Sequence, residues 1–560
     1  MVERFERCMR EKRINKQKVW DFFVFLLILA GEYVFFHNIL FNDSLIGGRI
    51  DSKLNTFFVE HWYQVILGNE IWTELDCFYP AKHVLSYSDM MLGFSFPYIV
   101  FRIFGINMYV ALKCSVIFFH ALGSFSMYYF MKRCLGISRI SALISVISFS
   151  FSNSYYFIMV NIQMTYLSTL PLILIFIYYY WENRDKTRRI LFGLLATVVL
   201  VLQFYTAFYV GYLFLLLVLS AIPVTMIAFF VCRRQEWCAQ IIMELKNRWK
   251  DIAFYAVVAI MLMLPFVYLY LPTLAENGGR NWGDVFYFIP EPQQVLGLAE
   301  ADKSLMQAQH LEESKYNLTL GIPWIDVLVF ISLFMAFIWK YCIKQQKISE
   351  LKKTSLICLC ILILLCFPLA MKFGDFSPWY FIYRFIPGAS AVRAVPRWYN
   401  MLTIPLAIAL GLLMQYVVVK GEKFYRFLAP IFATVIFVSN IFTGGTCSDW
   451  SVSGEEAYIA AVPQPPADCE IMYLTDKQQS SQAIEAELQM DAWTIAKYYN
   501  MDTVNGYSGQ EPLNWNISIK SENVDRQVTD WLQYNHVSNK QVYAFDIGNR
   551  EWTRLVYEGE

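Results

Sequence analysis

Long apolar segments alternate with short polar ones along most of the chain. The segments that are long enough to cross a hydrocarbon layer of about 30 Å lie near 19–40, 108–131, 138–154, 164–181, 188–204, 207–231, 251–271, 323–341, 354–371, 398–418 and 426–443. Several contain proline, which membrane helices tolerate when neighbouring groups satisfy the freed backbone. The pattern predicts a polytopic α-helical membrane protein with about 11 transmembrane helices.

Basic residues are spaced so that they give the chain an orientation. They cluster at every second junction between apolar segments, beginning with residues 1–18, and the positive-inside rule places such clusters in the cytoplasm. A crossing near 93–105 would put Lys132 and Arg133 on the wrong side, so we predict a re-entrant or interfacial segment there. We expect a cytoplasmic N-terminus, a plasma-membrane domain at 19–444 and outer loops at 41–107, 272–322 and 372–397.

The first outer loop contains a segment with helical periodicity. Leu54, Phe58 and Trp62 fall on one face of a helix, and Thr56 and Glu60 fall roughly opposite. Such a helix is typical of segments that lie in the membrane surface.

Composition supports a membrane protein and excludes other classes. Of the 560 residues, 57% are hydrophobic and 16% are charged, and the mean hydropathy is +0.39. Soluble domains carry about 25% charged residues, so a soluble enzyme and a disordered chain are both excluded. Lys and Arg number 46 and so do Asp and Glu, so no charge excess indicates a nucleic-acid partner.

The tail at 445–560 differs from the rest of the chain. It holds 18 acidic residues against 7 basic ones and no spanning segment, which predicts a small extracytoplasmic α/β or β-rich domain. An oxidising compartment would allow a disulfide between Cys447 and Cys469. Two roles are open for Trp493 and Trp531: stacking on carbohydrate, or forming the core of the tail.

Polar residues follow the first apolar segment directly, and they include Asp51, Lys53 and Asn55, then Glu60 and His61. Charges near the membrane plane cost about 2.5–3.5 kcal/mol on insertion scales, so such groups usually have partners or a function. The alternative is that Asp51 and Lys53 are solvated loop residues at headgroup level.

Further polar residues lie in the other predicted outer segments. Asp89 precedes the segment at 93–105, Gln163 opens the helix near 164, and Glu312 closes the second loop. Arg393 and Arg397, with Arg384, lie in a predicted outer loop, although the positive-inside rule expects basic residues on the cytoplasmic side. Arginine binds phosphate through a planar fork, so an anionic headgroup is one partner, and cation–π contacts with aromatic loops are the other interpretation.

The order of these motifs resembles a group of bacterial polytopic membrane proteins classed with the GT-C superfamily of integral membrane glycosyltransferases. The motifs, in order, are G-x-x-D-S-K-L-N at 48–55, E-H at 60–61, F-Y-P at 78–80, Y-S-D at 87–89, N-x-Q at 161–163 and P-G-x-S-A-x-R-x-x-P-R-W at 387–398. The resemblance covers roughly 40 to 420 and extends weakly to NGYSGQEP at 505–512. Its strength lies in the combination, since each motif alone is unspecific.

The resemblance implies a sugar donor linked to polyprenyl phosphate, bound at the outer membrane face, and an inverting transfer to an acceptor hydroxyl. Asp51 matches the acidic residue that acts as general base, with Glu60 in reserve. The implied donor-phosphate ligands are Lys53, Arg393 and Arg397. The implied sugar or acceptor ligands are Asn55, His61, Asp89, Gln163 and Glu312.

The resemblance leaves the metal, the sugar and the acceptor open. Some superfamily members carry two acidic residues one position apart and use a divalent metal, whereas this chain has Asp51-Ser-Lys53. A metal is therefore not supported by an acid pair, and no other cofactor is implied. The acceptor is a glycan, a lipid or a protein.

Two other functions fit a multi-span chain. One is a transporter or flippase of a lipid-linked glycan, and the other is a non-catalytic assembly protein of the cell envelope. A transporter places its essential charges at mid-membrane depth, whereas the charges here gather in outer loops. This distribution favours the enzyme.

Overall fold

The computed structural model describes residues 2–152, 155, 158–159, 161–231, 234–295, 324–420, 423–441 and 447–556. Glu312, a predicted ligand, lies outside these described residues. Helices form nearly all of the described chain as far as residue 441.

The helices of the first 441 residues are α1 (Val2–Leu40), α2 (Arg49–Leu67), α3 (Leu92–Ile103), α4 (Met108–Tyr129), α5 (Arg139–Ser150), α6 (Leu170–Glu182), α7 (Lys186–Thr206), α8 (Phe208–Val231), α9 (Gln235–Asn247), α10 (Trp249–Asn277), α11 (Trp282–Tyr287), α12 (Pro292–Val295), α13 (Trp324–Ile338), α14 (Glu350–Cys366), α15 (Trp379–Phe385), α16 (Arg397–Leu413) and α17 (Lys423–Ile441). A short strand, β1 (Ser44–Ile46), separates α1 from α2. A 3₁₀ segment, Ile162–Thr169, leads into α6.

The predicted helical membrane architecture is confirmed. Nine helices of the described chain are long and apolar enough to cross a membrane. The two other predicted crossings are helical with shorter apolar stretches, Arg139–Ser150 and Leu428–Val438. Helix α3 has 12 residues, fewer than the roughly 20 that a crossing needs, so its re-entrant or interfacial placement stays a prediction.

Helix α16 lies at the centre of the bundle. In its most apolar window 78% of the residues are buried, because it packs against α5 and α14 on different sides. A Cβ atom at Gly411 would collide with Ser145 of α5. This glycine therefore lets the two backbones approach closely, as small residues do between membrane helices. Arg397, the first residue of α16, is fixed at one end of this central helix.

The tail is an α/β domain, as the sequence predicts. Its elements are β2 (Cys447–Ser451), α18 (Val452–Ala460), β3 (Ile471–Thr475), α19 (Glu485–Tyr499), β4 (Asp502–Thr503), α20 (Val524–Tyr534), β5 (Val542–Asp546) and β6 (Glu551–Arg554). The sheet order is β4-β3-β5-β6, in which only β6 is antiparallel to its neighbour. Cys469 has a free thiol, so the disulfide to Cys447 that the sequence allowed is not formed.

Alternation along β3 explains how the sheet is covered on both sides. Successive strand residues point to opposite faces, so Ile471 joins an apolar cluster with Val528 and Leu532 of α20. Met472 faces the other way and joins a cluster with Leu488 of α19. The result is a sheet between two helical layers.

The tail covers helix α2, which corrects the predicted membrane-surface helix. The helix exists, but both its apolar and its polar faces are buried between residues 52 and 61. The Trp493 ring of α19 lies 5.0 Å from the Phe57 ring of α2, and Met490 and Trp493 belong to the core of the helical bundle. The local hydrophobic pattern predicts an amphipathic helix. It does not predict which part of the chain packs on the polar face of that helix.

The tryptophans of the tail belong to this packing. Trp493 is fully buried, and its Nε1 donates to Asp76 Oδ1 at 2.6 Å. Trp531 is also buried and donates to the carbonyl of Tyr79 at 2.8 Å. The structure thus favours the core role over stacking on carbohydrate.

Candidate functional site

Asp51 lies in the first turn of α2, where the helix dipole favours a carboxylate. Its Oδ2 accepts a hydrogen bond from Asn161 Nδ2 at 2.9 Å. Asn55, one turn later, donates to the Asp51 carbonyl at 2.7 Å and so holds the backbone rather than the carboxylate. The carboxylate is half-buried and oriented by an amide.

Asp89 is the second carboxylate of the site. Its Oδ1 accepts from the Phe208 backbone N–H at 2.8 Å, at the first residue of α8. Burial raises the pKa of Asp89, against the opposing effects of the Phe208 amide, the Arg397 charge and a side-chain hydrogen bond from Gln163. Asp89 thus connects α8, the N-x-Q motif and the arginine of α16.

Asn161 and Gln163 place the two carboxylates beside one short segment of the chain, and we call the region around these four residues the pocket. They flank the start of the 3₁₀ segment Ile162–Thr169, where Asn161 contacts Asp51 and Gln163 contacts Asp89. Two residues span at most about 7 Å of chain. The Oε1 atom of Gln163 is buried and has no hydrogen-bond partner among the described residues, so it is available to a ligand hydroxyl.

Arg397 supplies the positive charge of this pocket. Its guanidinium stacks over the Tyr209 ring at 4.4 Å. Its Nε is buried, and the guanidinium forms no hydrogen bond or salt bridge within the described part of the chain. A guanidinium carries five N–H donors, and a half-buried cation without acceptors is suited to bind an anion.

Arg393 lies farther out on the same loop. Its side chain is exposed, and its guanidinium lies 5.1 Å from the Phe288 ring. The backbone N–H of Arg393 donates to the Tyr209 hydroxyl at 2.9 Å. The structure therefore separates the two predicted phosphate ligands: Arg397 lies in the pocket and Arg393 at its rim.

Lys53 is not part of this pocket. Its fully buried ammonium lies 2.6 Å from Asp491 Oδ1 and 2.8 Å from Glu455 Oε2, both in the tail. It also lies 4.9 Å from the Trp450 ring. Burial raises the pKa of Glu455, and the Lys53 charge opposes that rise. Because two carboxylates already neutralise Lys53, we do not assign it to a donor phosphate.

Glu60 is likewise held by its own partners. Its carboxylate accepts from Arg102 Nε at 2.9 Å, from Tyr98 at 2.5 Å and from Gln64 at 2.8 Å. This arrangement ties α2 to α3. With its oxygens occupied, Glu60 is poorly placed to accept a proton from a substrate.

His61 joins the first outer loop to the tail. Its Nδ1 lies 2.5 Å from Glu70 Oε2, and Lys497 of α19 donates to the other oxygen of Glu70 at 2.7 Å. Lys497 also lies 3.2 Å from Asp76. The structure gives His61 a role in docking the tail, separate from the pocket of Asp51 and Asp89.

The NGYSGQEP segment of the tail reaches the same end of the bundle. Phe78 N–H donates to the Asn505 carbonyl at 2.9 Å, and a Cβ at Gly506 would lie 2.6 Å from the Phe78 ring, so only glycine fits. Arg280, just after α10, donates to the Gly509 carbonyl at 2.8 Å. The segment therefore binds the loops that surround the pocket.

Within the described ranges, no group of three or more His, Cys, Asp or Glu side chains is suited to a metal ion. Asp51 and Asp89 are separated by the amides of Asn161 and Gln163, and a metal site at these residues is not proposed.

Two residues of this candidate site carry little signal in the sequence. Asn161 belongs to the N-x-Q motif, but the motif does not indicate that its amide orients Asp51. Tyr209 is one aromatic residue in an apolar segment, which gives no signal. Its partners, Arg393 and Arg397, lie more than 180 positions away.

Comparison of the fold with solved structures gives matches over most of the chain. The oligosaccharyltransferase of Archaeoglobus fulgidus, in complex with zinc and sulfate, matches with a TM-score of 0.47 and 9% identity, over 93% of this chain and 67% of that one. The mycobacterial arabinofuranosyltransferase AftD matches with a TM-score of 0.47 and 12% identity, over 94% of this chain and 35% of that one.

ArnT from Cupriavidus metallidurans in the apo state matches with a TM-score of 0.39 and 12% identity, over 88% of this chain and 87% of that one. No family model matches the sequence, and comparison with curated protein sequences gives no significant match.

Proposed function

We propose that this protein is a membrane glycosyltransferase that moves a sugar from a polyprenyl-phosphate carrier to an acceptor hydroxyl. One observation carries the proposal. The Asp51 carboxylate is held by the Asn161 amide, and Arg397 is a half-buried cation with no acceptor among the described residues; Gln163 and Asp89 lie between the two.

Asp51 is the proposed general base. The acceptor oxygen forms a bond to the anomeric carbon, its proton passes to the Asp51 carboxylate, and the bond from the anomeric carbon to the phosphate oxygen breaks. Attack on the face opposite the leaving phosphate inverts the anomeric carbon. The Asn161 amide orients the Asp51 carboxylate through one of its oxygens, and proton transfer to a positioned base is worth about 10²–10⁴-fold in rate.

Arg397 is the proposed partner of the leaving phosphate. Negative charge grows on the phosphate oxygens as the glycosidic bond breaks, and preorganised donors in a poorly hydrated site stabilise charge as it develops. The Tyr209 ring under the guanidinium fixes its plane without using its N–H groups. Arg393 at the rim contributes positive potential that attracts an anionic donor.

An apolar groove next to the pocket suits the isoprenoid chain of such a donor. The groove has a volume of about 510 Å³ and lies between α3, α4, α6 and α7. Tyr166 in its wall is one 3₁₀ turn from Gln163, and Leu202 is one helical turn from Thr206 at the end of α7. Two walls of the groove thus lead to the polar pocket, where the phosphate would lie.

We place the pocket and the tail on the extracytoplasmic side. Both lie where α1, α7 and α10 end and where α16 begins, whereas the basic clusters belong to the opposite ends of these helices. The positive-inside rule assigns the basic ends to the cytoplasm. The acceptor then approaches from outside, on the side where the tail covers α2.

The first test is transfer from short-chain polyprenyl-phosphate sugars by the purified full-length chain. We expect release of polyprenyl phosphate by the wild type, and a loss of donor affinity of about 10- to 100-fold in Arg397→Gln, since a hydrogen bond to a charged group is worth about 1.5–3 kcal/mol. Arg384→Gln changes an exposed arginine of α15 and should leave affinity unchanged.

Two results would contradict the proposal. The first is a wild type that releases no polyprenyl phosphate from any donor yet moves lipid-linked glycan across vesicles, which would favour a flippase. The second is equal donor affinity in Arg397→Gln and Arg384→Gln, which would remove Arg397 from the phosphate site.

A further inference from the structure

Tyr209 lies at the second position of α8, where the loop of Arg393 and Arg397 meets the bundle. Its hydroxyl oxygen accepts the backbone N–H of Arg393 at 2.9 Å and that of Ala394 at 3.3 Å. Its ring lies under the Arg397 guanidinium at 4.4 Å. One side chain therefore contacts both the backbone of the loop and its buried cation.

A hydroxyl group has two acceptor positions and one donor hydrogen. Both acceptor positions of Tyr209 are used by amides, so its O–H hydrogen is left to donate to a third group. The described residues provide no acceptor for it. The side chain is half-buried rather than sealed, so a ligand can reach it.

Two donors thus meet near the start of α8: the Tyr209 hydroxyl and the Arg397 guanidinium. The positive end of the α8 dipole lies beside them, although its first N–H is already used by Asp89. Helix N-termini favour anions through their free N–H groups. An oxyanion with several acceptor oxygens matches this set better than a sugar hydroxyl, because it offers each donor an acceptor and adds a negative charge beside the guanidinium.

We propose that the Tyr209 hydroxyl is a direct ligand of the carrier phosphate and acts together with Arg397. This inference rests on the proposed function and adds a ligand that the sequence motifs do not indicate. The hydroxyl keeps its proton and donates it in a hydrogen bond to a phosphate oxygen, so no bond is made or broken at Tyr209.

The same loop contains a matched control. Tyr212, one turn farther along α8, donates from its hydroxyl to the Pro387 carbonyl at 3.1 Å. Tyr212→Phe therefore removes a hydrogen bond that holds the same loop without removing a donor to the phosphate. Tyr209→Phe removes the free donor and the amide acceptor but keeps the ring under Arg397.

The test measures binding of a sugar-free, short-chain polyprenyl phosphate to the full-length protein, with the corresponding polyprenol as the phosphate-free probe. We expect Tyr209→Phe to weaken binding of the phosphate about tenfold or more and to leave polyprenol binding unchanged. Tyr212→Phe should leave both affinities within about twofold of the wild type.

A structural role alone gives a different result. If Tyr209 only holds the loop, Tyr209→Phe and Tyr212→Phe will lower both affinities alike, or Tyr209→Phe will lower neither, and either result overturns the inference. A double-mutant cycle with Arg397→Gln adds a second readout, because ligands of one phosphate should give non-additive losses. Additive losses would also overturn it.

The outcomes separate this inference from the proposed function. A wild type that binds polyprenyl phosphate through Tyr209 but transfers no sugar would overturn the function and keep the phosphate ligand. A wild type that transfers sugar with equal affinity in Tyr209→Phe would keep the function and overturn the ligand. A wild type that does not bind the phosphate overturns the ligand.

Discussion

Replacing Asp51 by asparagine is expected to lower the rate of sugar transfer by about 10²- to 10⁴-fold, the range that a positioned general base contributes. Asparagine has nearly the same shape and keeps an oxygen for the Asn161 amide, so the fold should be retained. What is lost is the capacity to accept the acceptor proton. The measurement is release of polyprenyl phosphate under saturating donor.

Two variants make this result interpretable. Asp375→Asn changes an exposed carboxylate in the outer loop at 372–397 and should transfer sugar at the wild-type rate. Asn161→Ala keeps Asp51 but removes its amide partner, so the turnover rate should fall less than in Asp51→Asn while donor affinity is kept. Unchanged turnover in Asp51→Asn would remove it from the mechanism.

Asp89 is the other carboxylate that could accept the proton, and the structure gives a reason to rank it second. Its Oδ1 already accepts the first N–H of α8, and burial raises its pKa. Asp89→Asn should therefore disturb the start of α8, where Tyr209 lies, and weaken donor binding as well as turnover. If Asp89→Asn lowers turnover but leaves donor binding unchanged, Asp89 rather than Asp51 would be the general base.

The helical architecture was accessible from the sequence because it depends on local pattern. All predicted crossings are helical in the described residues, and the acidic, span-free tail is an α/β domain. Asp51, Asp89, Gln163 and Arg397 could be proposed from the sequence because they stand in short motifs at the ends of these helices. The ends converge once the helices form a bundle.

The residues that were misplaced are those whose partners lie far along the chain. Lys53 is paired with Asp491, 438 positions later, and His61 reaches Lys497 only through Glu70. A loop lysine beside a candidate base looks like a phosphate ligand until the tail is folded over it. The hydrophobic periodicity of α2 does not indicate that tail residues cover Lys53.

The Lys53 cluster gives the second large expected effect, on stability rather than on turnover. Lys53→Met should lower the free energy of unfolding by about 3–5 kcal/mol, the usual consequence of removing one partner from a buried ion pair. Glu455 and Asp491 would then be buried beside each other, with Arg49 as the remaining cation among their salt-bridge partners in the described residues. Unfolding of the detergent-solubilised chain, followed by tryptophan fluorescence, measures the loss.

An exposed pair of the same geometry is the control. Lys477 lies 2.6 Å from Asp525, as Lys53 does from Asp491, but the Lys477 and Asp525 side chains are 37% and 44% exposed. Lys477→Met should therefore cost less than about 1 kcal/mol. A phosphate role for Lys53 predicts the reverse: normal stability in Lys53→Met with weakened binding of polyprenyl phosphate.

The double variant Lys53→Met with Asp491→Asn separates the pair from other losses. Removing both charges leaves Arg49 with the carboxylates of Glu455 and Glu487, so the double variant should be more stable than the sum of the single losses predicts. Additive losses would mean that Lys53 and Asp491 do not act as a pair.

Helix α2 carries both Lys53 and Asp51. Release of the tail in Lys53→Met should therefore also lower the rate of sugar transfer, and the double variant should recover part of that rate.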